Sequence, residues 1–370
     1  MTIRLAEVEE RLSIARAEVE ELRLALLRPL VTSRSRIMTR RGFLLRLVSG
    51  DGTEGVGEAS PAYWVGEVSI EKTATDLRAI VAVVATRPSA ARLRTMLLER
   101  RAGRRLSAAA AGALDTALLD LAARARGVAA TSLLGGEPTT ALHVGALLPG
   151  ETPDALAHEA RAAVSVGFRT LKIKVGSATI AEDVQRVAAV REHAGTGVAL
   201  RLDANRAWAP REAQRALAAF EPFGIEFVEE PLRGAAPQAL AALHSSARVP
   251  IAVDESVTDV ADLRRFTEAG AAPVVVLKAA RLGGPSRVLE LAQAAQAKAL
   301  RVVVTDSIET AVGMSMAVHT AAALPAPPLA LGLGGGWFLD APPFPAPLLQ
   351  AAGPGLDVRA LRETLATGHA

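Results

Sequence analysis

The stretch "TLKIKVG", residues 170–176, has the apolar make-up of a buried strand, yet Lys172 and Lys174 interrupt it. Side chains at i and i+2 of a strand share a face. The two lysines therefore project together, while Leu171, Ile173 and Val175 take the other face. Lysine is almost never buried without a partner, and two adjacent ammonium groups repel. The pattern demands something anionic in front of that face.

Working outward, short apolar strands alternate with helix-period stretches from residue 141 onward. Strands are read at 142–148 ("LHVGALL"), 170–176, 199–205 ("ALRLDAN"), 226–232 ("EFVEEPL"), 250–256 ("PIAVDES"), 273–280 ("PVVVLKAA"), 301–308 ("RVVVTDSI") and 329–334 ("LALGLG"). Amphipathic helices such as 153–167 and 284–300 separate them. Eight such units at roughly 25 to 30 residues each predict a (β/α)7β TIM-like barrel over 141–334. An open doubly wound sheet is the competitor, but it does not require polar residues at so many consecutive strand ends.

The first 140 residues differ. "RRGFLLRLVSGDGTEGVGEASP" (40–61) reads as strand, Gly-rich turn and strand, followed by helical stretches at 69–86 and 106–127. This predicts an α+β capping domain over 19–140. Leu5, Val8, Leu12, Ala15 and Val19 follow a heptad spacing, so residues 1–18 are expected to form a helical extension. The Pro-rich segment 335–370 is expected to pack back on the capping domain.

Composition narrows the function. A chain of 370 residues that is 50% hydrophobic and 22% charged carries a large core. Its net charge is only +3 and its aromatics make up 3%, which argues against a nucleic-acid surface. With no cysteine there is no disulfide, thiolate metal site or cysteine nucleophile. No run is long and apolar enough for a membrane span, and no signal-peptide core appears, so a cytoplasmic enzyme without membrane or nucleic-acid partners is expected. His143, His193, His244 and His319 show no ligand spacing.

Active sites of such barrels lie at the C-terminal ends of the strands. Read in order, those ends carry Lys172 and Lys174, then Asp203 and Asn205, Glu229 and Glu230, Asp254 and Glu255, then Lys278. Three converging carboxylates repel unless a cation sits among them, and oxygen-only ligands favour a hard ion, Mg²⁺ above all. Asp203 shares a face with Arg201 and Asn205. Glu229 and Glu230 point oppositely, and alternation leaves open which faces inward. Lysines beside a divalent ion are expected to titrate below their ordinary value of about 10.4. Lys174, with Lys172 beside it, is then a candidate general base, and the ion would stabilise the oxyanion formed when a proton leaves the carbon next to a carboxylate.

The motifs "TLKIKVG", "LRLDANRAW", "FVEEPL", "AVDES" and "VVLKAARLGG", with "GVGEASP" and "ALDTALLDLAARARGVAATSLLGG" in the capping domain, resemble the enolase superfamily in its muconate-lactonizing subgroup. The use of a Lys or His base with Mg²⁺ in that superfamily is itself a known pattern. The resemblance implies Asp203, Glu229 and Asp254 as ligands of Mg²⁺ (with Mn²⁺ as a substitute), Lys174 as acid/base supported by Lys172, and Lys278 opposite. Arg201, Asn205, Glu230 and Glu255 are placed around the ligands. Tyr63 and Trp64 fall on a capping loop that in such proteins closes over a small carboxylate substrate, and members are often homo-oligomers.

Within the subgroup, residues 302–325 look most like the seventh-strand region of o-succinylbenzoate synthases. That implies syn-dehydration of 2-succinyl-6-hydroxy-2,4-cyclohexadiene-1-carboxylate, a menaquinone step, with Thr305 and Ser307 contacting the succinyl group. Asp306 departs from the pattern, since a negative charge beside a dicarboxylate is unfavourable unless it points away. The alternatives are an N-acylamino acid racemase or dipeptide epimerase, with Asp306 the candidate to hold an α-ammonium, and a muconate cycloisomerase. A non-catalytic scaffold barrel has no use for the retained set of acids and lysines.

Overall fold

The computed structural model describes residues 5–31, 35–63, 68–102, 106–234, 236–334, 338–339 and 346–360. A short helix α1 (Leu5–Glu9) precedes three antiparallel strands, β1 (Ile14–Val31), β2 (Arg36–Ser49) and β3 (Glu54–Ala59), in the order β1-β2-β3. The expected helical extension over 1–18 is thus wrong beyond Glu9: the strand is already formed at Ile14, which pairs with Ser49. Charged Arg16 and Glu18 alternate with half-buried Ala17 and Val19. Ladder bonds and a half-buried face outweigh a short heptad run whose partner helix does not exist.

Helices α2 (Ile70–Val84), α3 (Ala90–Ala102) and α4 (Ala108–Arg126) complete the capping domain. The Ala-rich α4 starts at the Ser107 cap and ends at Gly127 in the left-handed conformation at φ 66°. Its small side chains let β3 approach closely. A Cβ at Gly57 would stand 1.9 Å from the Ala113 carbonyl oxygen, and one at Gly55 would stand 2.3 Å from that of Ala117.

The second body is the barrel. Strand β4 (Ala141–His143) belongs to a small sheet with β12 (Leu348–Ala351) and β13 (Val358–Ala360). The parallel sheet runs β5 (Ala146–Leu148), β6 (Thr170–Lys174), β7 (Ala199–Asp203), β8 (Ile225–Glu229), β9 (Ile251–Val253), β10 (Val274–Lys278) and β11 (Arg301–Thr305), each beside the next. Residues 329–332 close the ring. Leu331 N–H donates to His143 O at 2.7 Å on one side, and Gly332 N–H to Val304 O at 2.9 Å on the other. The run expected as one strand at 142–148 is split at Val144–Gly145, where the chain leaves the small sheet and enters the barrel.

Several contacts dock the capping domain on the barrel, two of them at separate places on its surface. Asp115 of α4 accepts from Ser286 N–H and Oγ at 2.9 Å each. The far end of the β1–β2 hairpin brings Leu26, Leu30 and Ile37 against Ile308, Phe338 and Leu339 at the barrel mouth. Residues 346–360 contact both bodies: β12 pairs with β4, while Leu356 sits in the capping core and its N–H donates to Asp120 Oδ1 at 3.1 Å. Among the described residues, no helix is long and apolar enough to cross a membrane.

Candidate active site

Strand register sets the site. Lys174 pairs with Asp203, and Asp203 with Glu229, so three charged ends lie at one level. Glu229 pairs with Ala252, which puts Asp254 two residues further along the same face. Lys278 pairs with Thr305. All of these line one cavity of about 1120 Å³, its open mouth included, under the capping hairpin.

The anionic partners that Lys172 and Lys174 demand are Asp203 and Glu229. Lys174 Nζ donates to Asp203 Oδ2 at 2.6 Å and Asn205 Oδ1 at 2.8 Å. Lys172 Nζ stands 2.8 Å from Asp203 Oδ2 and 2.7 Å from Glu229 Oε2. Across the mouth, Lys278 is paired with Asp254 Oδ2, and Arg281 donates to Asp254 Oδ1 at 3.0 Å.

Burial would raise the Asp203 carboxyl, but Lys172 and Lys174 outweigh it and hold it well below the usual range. Asp254 is likewise held down, by Lys278 and Arg281 against burial. Glu229, between the other two acids, goes up because burial and Asp203 prevail over Lys172. The expectation that the lysines titrate low concerns a divalent ion beside them; the protein's own groups act the other way on Lys172 and Lys278. Burial favours the neutral amine in both, yet the adjoining carboxylates hold both ammoniums above the ordinary value.

Glu229 and Glu230 divide as alternation requires. Glu229 faces the cavity and Glu230 turns away, buried, with φ at 43°. Four donors hold that strained residue: Asp254 N–H and Ser256 N–H at 2.9 Å, Ser256 Oγ at 2.7 Å and Arg206 Nε at 3.2 Å. The same Arg206 reaches Glu255 Oε1 at 3.5 Å. Glu255 lines the cavity and is pushed up to about 8 by burial, Glu230 and Asp254. Deeper in the barrel, Arg201 bonds Glu226 at 2.6 Å and Ala330 O at 2.7 Å and lies 5.0 Å above the Phe227 ring. A register irregularity in β8 opposite Arg201 brings Glu226 within its reach.

At the end of β11, Thr305 Oγ1 donates to Gly332 O at 2.5 Å. Asp306, Ser307 and Ile308 follow along the cavity wall, facing Leu30 and Ala62 of the capping domain. Tyr63 does not join them: its hydroxyl donates to Thr39 O at 2.5 Å and its ring packs in the capping core. Trp64 lies outside the described residues.

Two contributors escaped the sequence reading. Arg281 follows Lys278 by one helical turn, a Lys-x-x-Arg spacing that was visible. Arg206 was not recognisable, because its reach depends on the left-handed turn at Asn205 and Arg206, φ 44° and 61°.

The donor set is all oxygen. Among the described residues no three acid or imidazole groups stand gathered as a closed ligand cluster, since each carboxylate is turned to an ammonium instead. One observation fits a cation nonetheless: Glu229 Oε1 is buried and has no hydrogen-bond partner, and an unpaired buried carboxylate oxygen is costly.

Two family descriptions match the chain, the mandelate racemase/muconate lactonizing enzyme N-terminal domain over residues 16–135 and the enolase C-terminal domain-like fold over 155–354. The chain belongs to the enolase superfamily. Within this superfamily it is 29% identical to L-Ala-D/L-Glu epimerase of Bacillus subtilis, over 84% of this chain and 85% of that protein. It is 39% identical to o-succinylbenzoate synthase of Thermobifida fusca, over 57% of this chain and 64% of that one. The dipeptide epimerase of Enterococcus faecalis, solved with Mg and the dipeptide L-Leu-L-Tyr, superposes with a TM-score of 0.84. The match is 26% identical and covers 94% of this chain and 99% of that one.

Proposed function

We propose that this enolase-superfamily enzyme removes and returns the proton on the carbon next to a substrate carboxylate, as a 1,1-proton transfer that epimerises or racemises that carbon. The observation that carries this reading is the two-sided arrangement of Lys174 and Lys278. They enter one cavity from β6 and β10, with β7, β8 and β9 between them, each paired to a carboxylate of the row. One lysine, in its neutral form, takes the proton from one face, and the other, as ammonium, returns one to the opposite face. The net change is inversion, with no atom gained or lost. Full-length similarity to epimerases supports the same reading.

Asp203, Glu229 and Asp254 would hold Mg²⁺, with Glu229 Oε1 the oxygen that has no other partner. When bound, such an ion supplies the positive charge that stabilises the substrate's enolised carboxylate. Lys172, between Asp203 and Glu229, keeps the two acids in place beside Lys174.

A second reading, the dehydration to o-succinylbenzoate, is favoured by the Thermobifida fusca relative, which is 39% identical over 57% of this chain. In that reaction Lys174 alone takes the proton and hands it to the departing hydroxyl, while Lys278 remains charged.

Proton NMR in D₂O with Mg²⁺ separates the two. For epimerisation, Lys174→Ala stops α-proton exchange from one stereoisomer and Lys278→Ala from the other, each by about 10²- to 10⁴-fold. Dehydration instead releases o-succinylbenzoate. Wild-type exchange in Lys174→Ala would end both readings.

A further inference from the structure

The two lysines sit beside turns that different parts of the molecule hold. After β6 the chain bends at Val175 and Gly176, and Gly176 N–H donates to Asp183 Oδ2 at 2.7 Å. Asp183 is fully buried and lies on the next barrel helix, Ile180–Ala194, where Arg186 Nη1 donates to its Oδ1 at 2.7 Å. The turn beyond Lys174 is therefore held by the barrel itself.

After β10 the holder is the capping domain. Lys278 leads directly into a single helical turn, Ala279–Leu282, and the N–H groups of Gly283 and Gly284 fold back on Ala279 O at 3.0 and 2.9 Å. Gly284, at φ 114°, is the N-cap of the helix Pro285–Gln296 and has no side chain with which to cap it. Asp115 of α4 supplies the missing acceptor: its carboxylate takes Ser286 N–H and Oγ at 2.9 Å each, and negative charge suits a helix N-terminus. The fit leaves no slack. A Cβ at Gly284 would stand 2.4 Å from Asp115 Oδ2, and one at Gly112 of α4 would stand 3.2 Å from Ala279 O. Asp115 is itself fully buried and is fixed by Arg94 of α3, which also donates from Nε and Nη2 to Glu9 Oε1 of α1 at 2.9 and 2.6 Å.

We infer that Asp115 is a positioning residue for Lys278: acting through Ser286 and the backbone of 279–284, the capping domain sets where the β10 lysine stands, while Asp183 does the same for Lys174 from within the barrel. Each aspartate thus governs proton transfer at one face of the substrate. This rests on the two-lysine proton-transfer reading. Neither aspartate lines the active cavity, so each acts only through the turn it holds. A misplacement of about 1 Å at a reacting group, caused from outside the site, costs on the order of a hundredfold in rate. Asp115→Asn keeps the size of the side chain, but its amide nitrogen would face a donor in place of an acceptor oxygen.

The test is α-proton exchange followed by NMR in D₂O with Mg²⁺, from each member of a stereoisomer pair. The pairs are L-Ala-L-Glu with L-Ala-D-Glu, and N-succinyl-L-arginine with N-succinyl-D-arginine. The isomer that Lys278→Ala leaves unexchanged is the one whose α-proton faces Lys278. Asp115→Asn is expected to slow exchange from that isomer by about tenfold to a hundredfold, and from the other by less than about threefold. Asp183→Asn is expected to do the reverse. Ser286→Ala removes one bond to Asp115 and should follow Asp115→Asn with a several-fold loss; it stands in for that variant should Asp115→Asn not fold. A general loss of structure would slow both isomers together. Equal slowing of both isomers by Asp115→Asn, or no change in either, overturns the inference, as does a Ser286→Ala protein with no isomer-selective loss where Asp115→Asn does not fold. In those cases the parent still exchanges both isomers, and proton transfer stands. If the parent exchanges neither isomer of either pair, or only one, the two-lysine reading falls and takes the inference with it.

Discussion

Neighbouring residues of one type take opposite roles here. Glu229 faces the cavity with a free oxygen, and Glu230 is locked behind it by four donors. The pair was legible as a pair, but its orientation depended on the β8 register. His319 shows the same limit. Its position in the sequence shows no ligand spacing, and it is buried between the two bodies. Its Nδ1 accepts from Thr131 N–H at 3.2 Å, and its Nε2 lies 2.8 Å from Asp357 O. Burial holds the ring down to about 4. A histidine whose folded value lies below its unfolded 6.5 is neutral in the native state, so the unfolded chain binds the extra proton. Stability should therefore fall as pH drops from about 6.5 to 4, by roughly 3 kcal/mol from this group. Urea titrations should find His319→Gln less stable at pH 7 but with a flatter loss across that window. Equal slopes for both proteins would show the ring carries no such linkage.

At the scale of elements, what matters is how strands meet helices and each other. The β6–β7–β8 register aligns Lys174, Asp203 and Glu229 without any loop, so these catalytic candidates sit on the rigid part of the barrel. In the capping domain, β3 rests on the backbone of α4 at Gly55 and Gly57. Gly57→Ala should lower stability by about 1–3 kcal/mol or more, because the added methyl meets backbone that cannot move aside. Chemical denaturation reads this directly. An unchanged midpoint would mean β3 lifts from α4 at little cost. Most of the barrel strands were legible because each is a short, mainly apolar run with a charged residue at or just beyond its C-terminal end. The misread element was 10–18, where a helical periodicity competed with a pairing partner some 30 residues away.

For the whole molecule, the site lies between two bodies, with barrel strands supplying acids and lysines and the capping domain supplying Leu30 from β1 and Ala62 from the segment after β3. If the three carboxylates take a divalent ion, Mg²⁺ should raise the melting temperature in a saturable way, reversed by EDTA. The gain is about 2.7 kcal/mol at a hundredfold excess over Kd. Asp203→Asn and Asp254→Asn should remove the shift. A shift that survives in both variants would place the ion elsewhere.

The amino-acid sequence by itself determined the barrel, its order of strands and the chemistry of its ends. Those properties follow from local periodicity and from charges that cannot stand together unpartnered. Only the tertiary structure decided that Asp306 faces the cavity, that Glu230 does not, that Tyr63 stays in the capping core and that Arg206 and Arg281 complete the network. Each of these depends on a backbone turn or on a contact between chain segments far apart in sequence, and neither is written in the spacing of the residues involved.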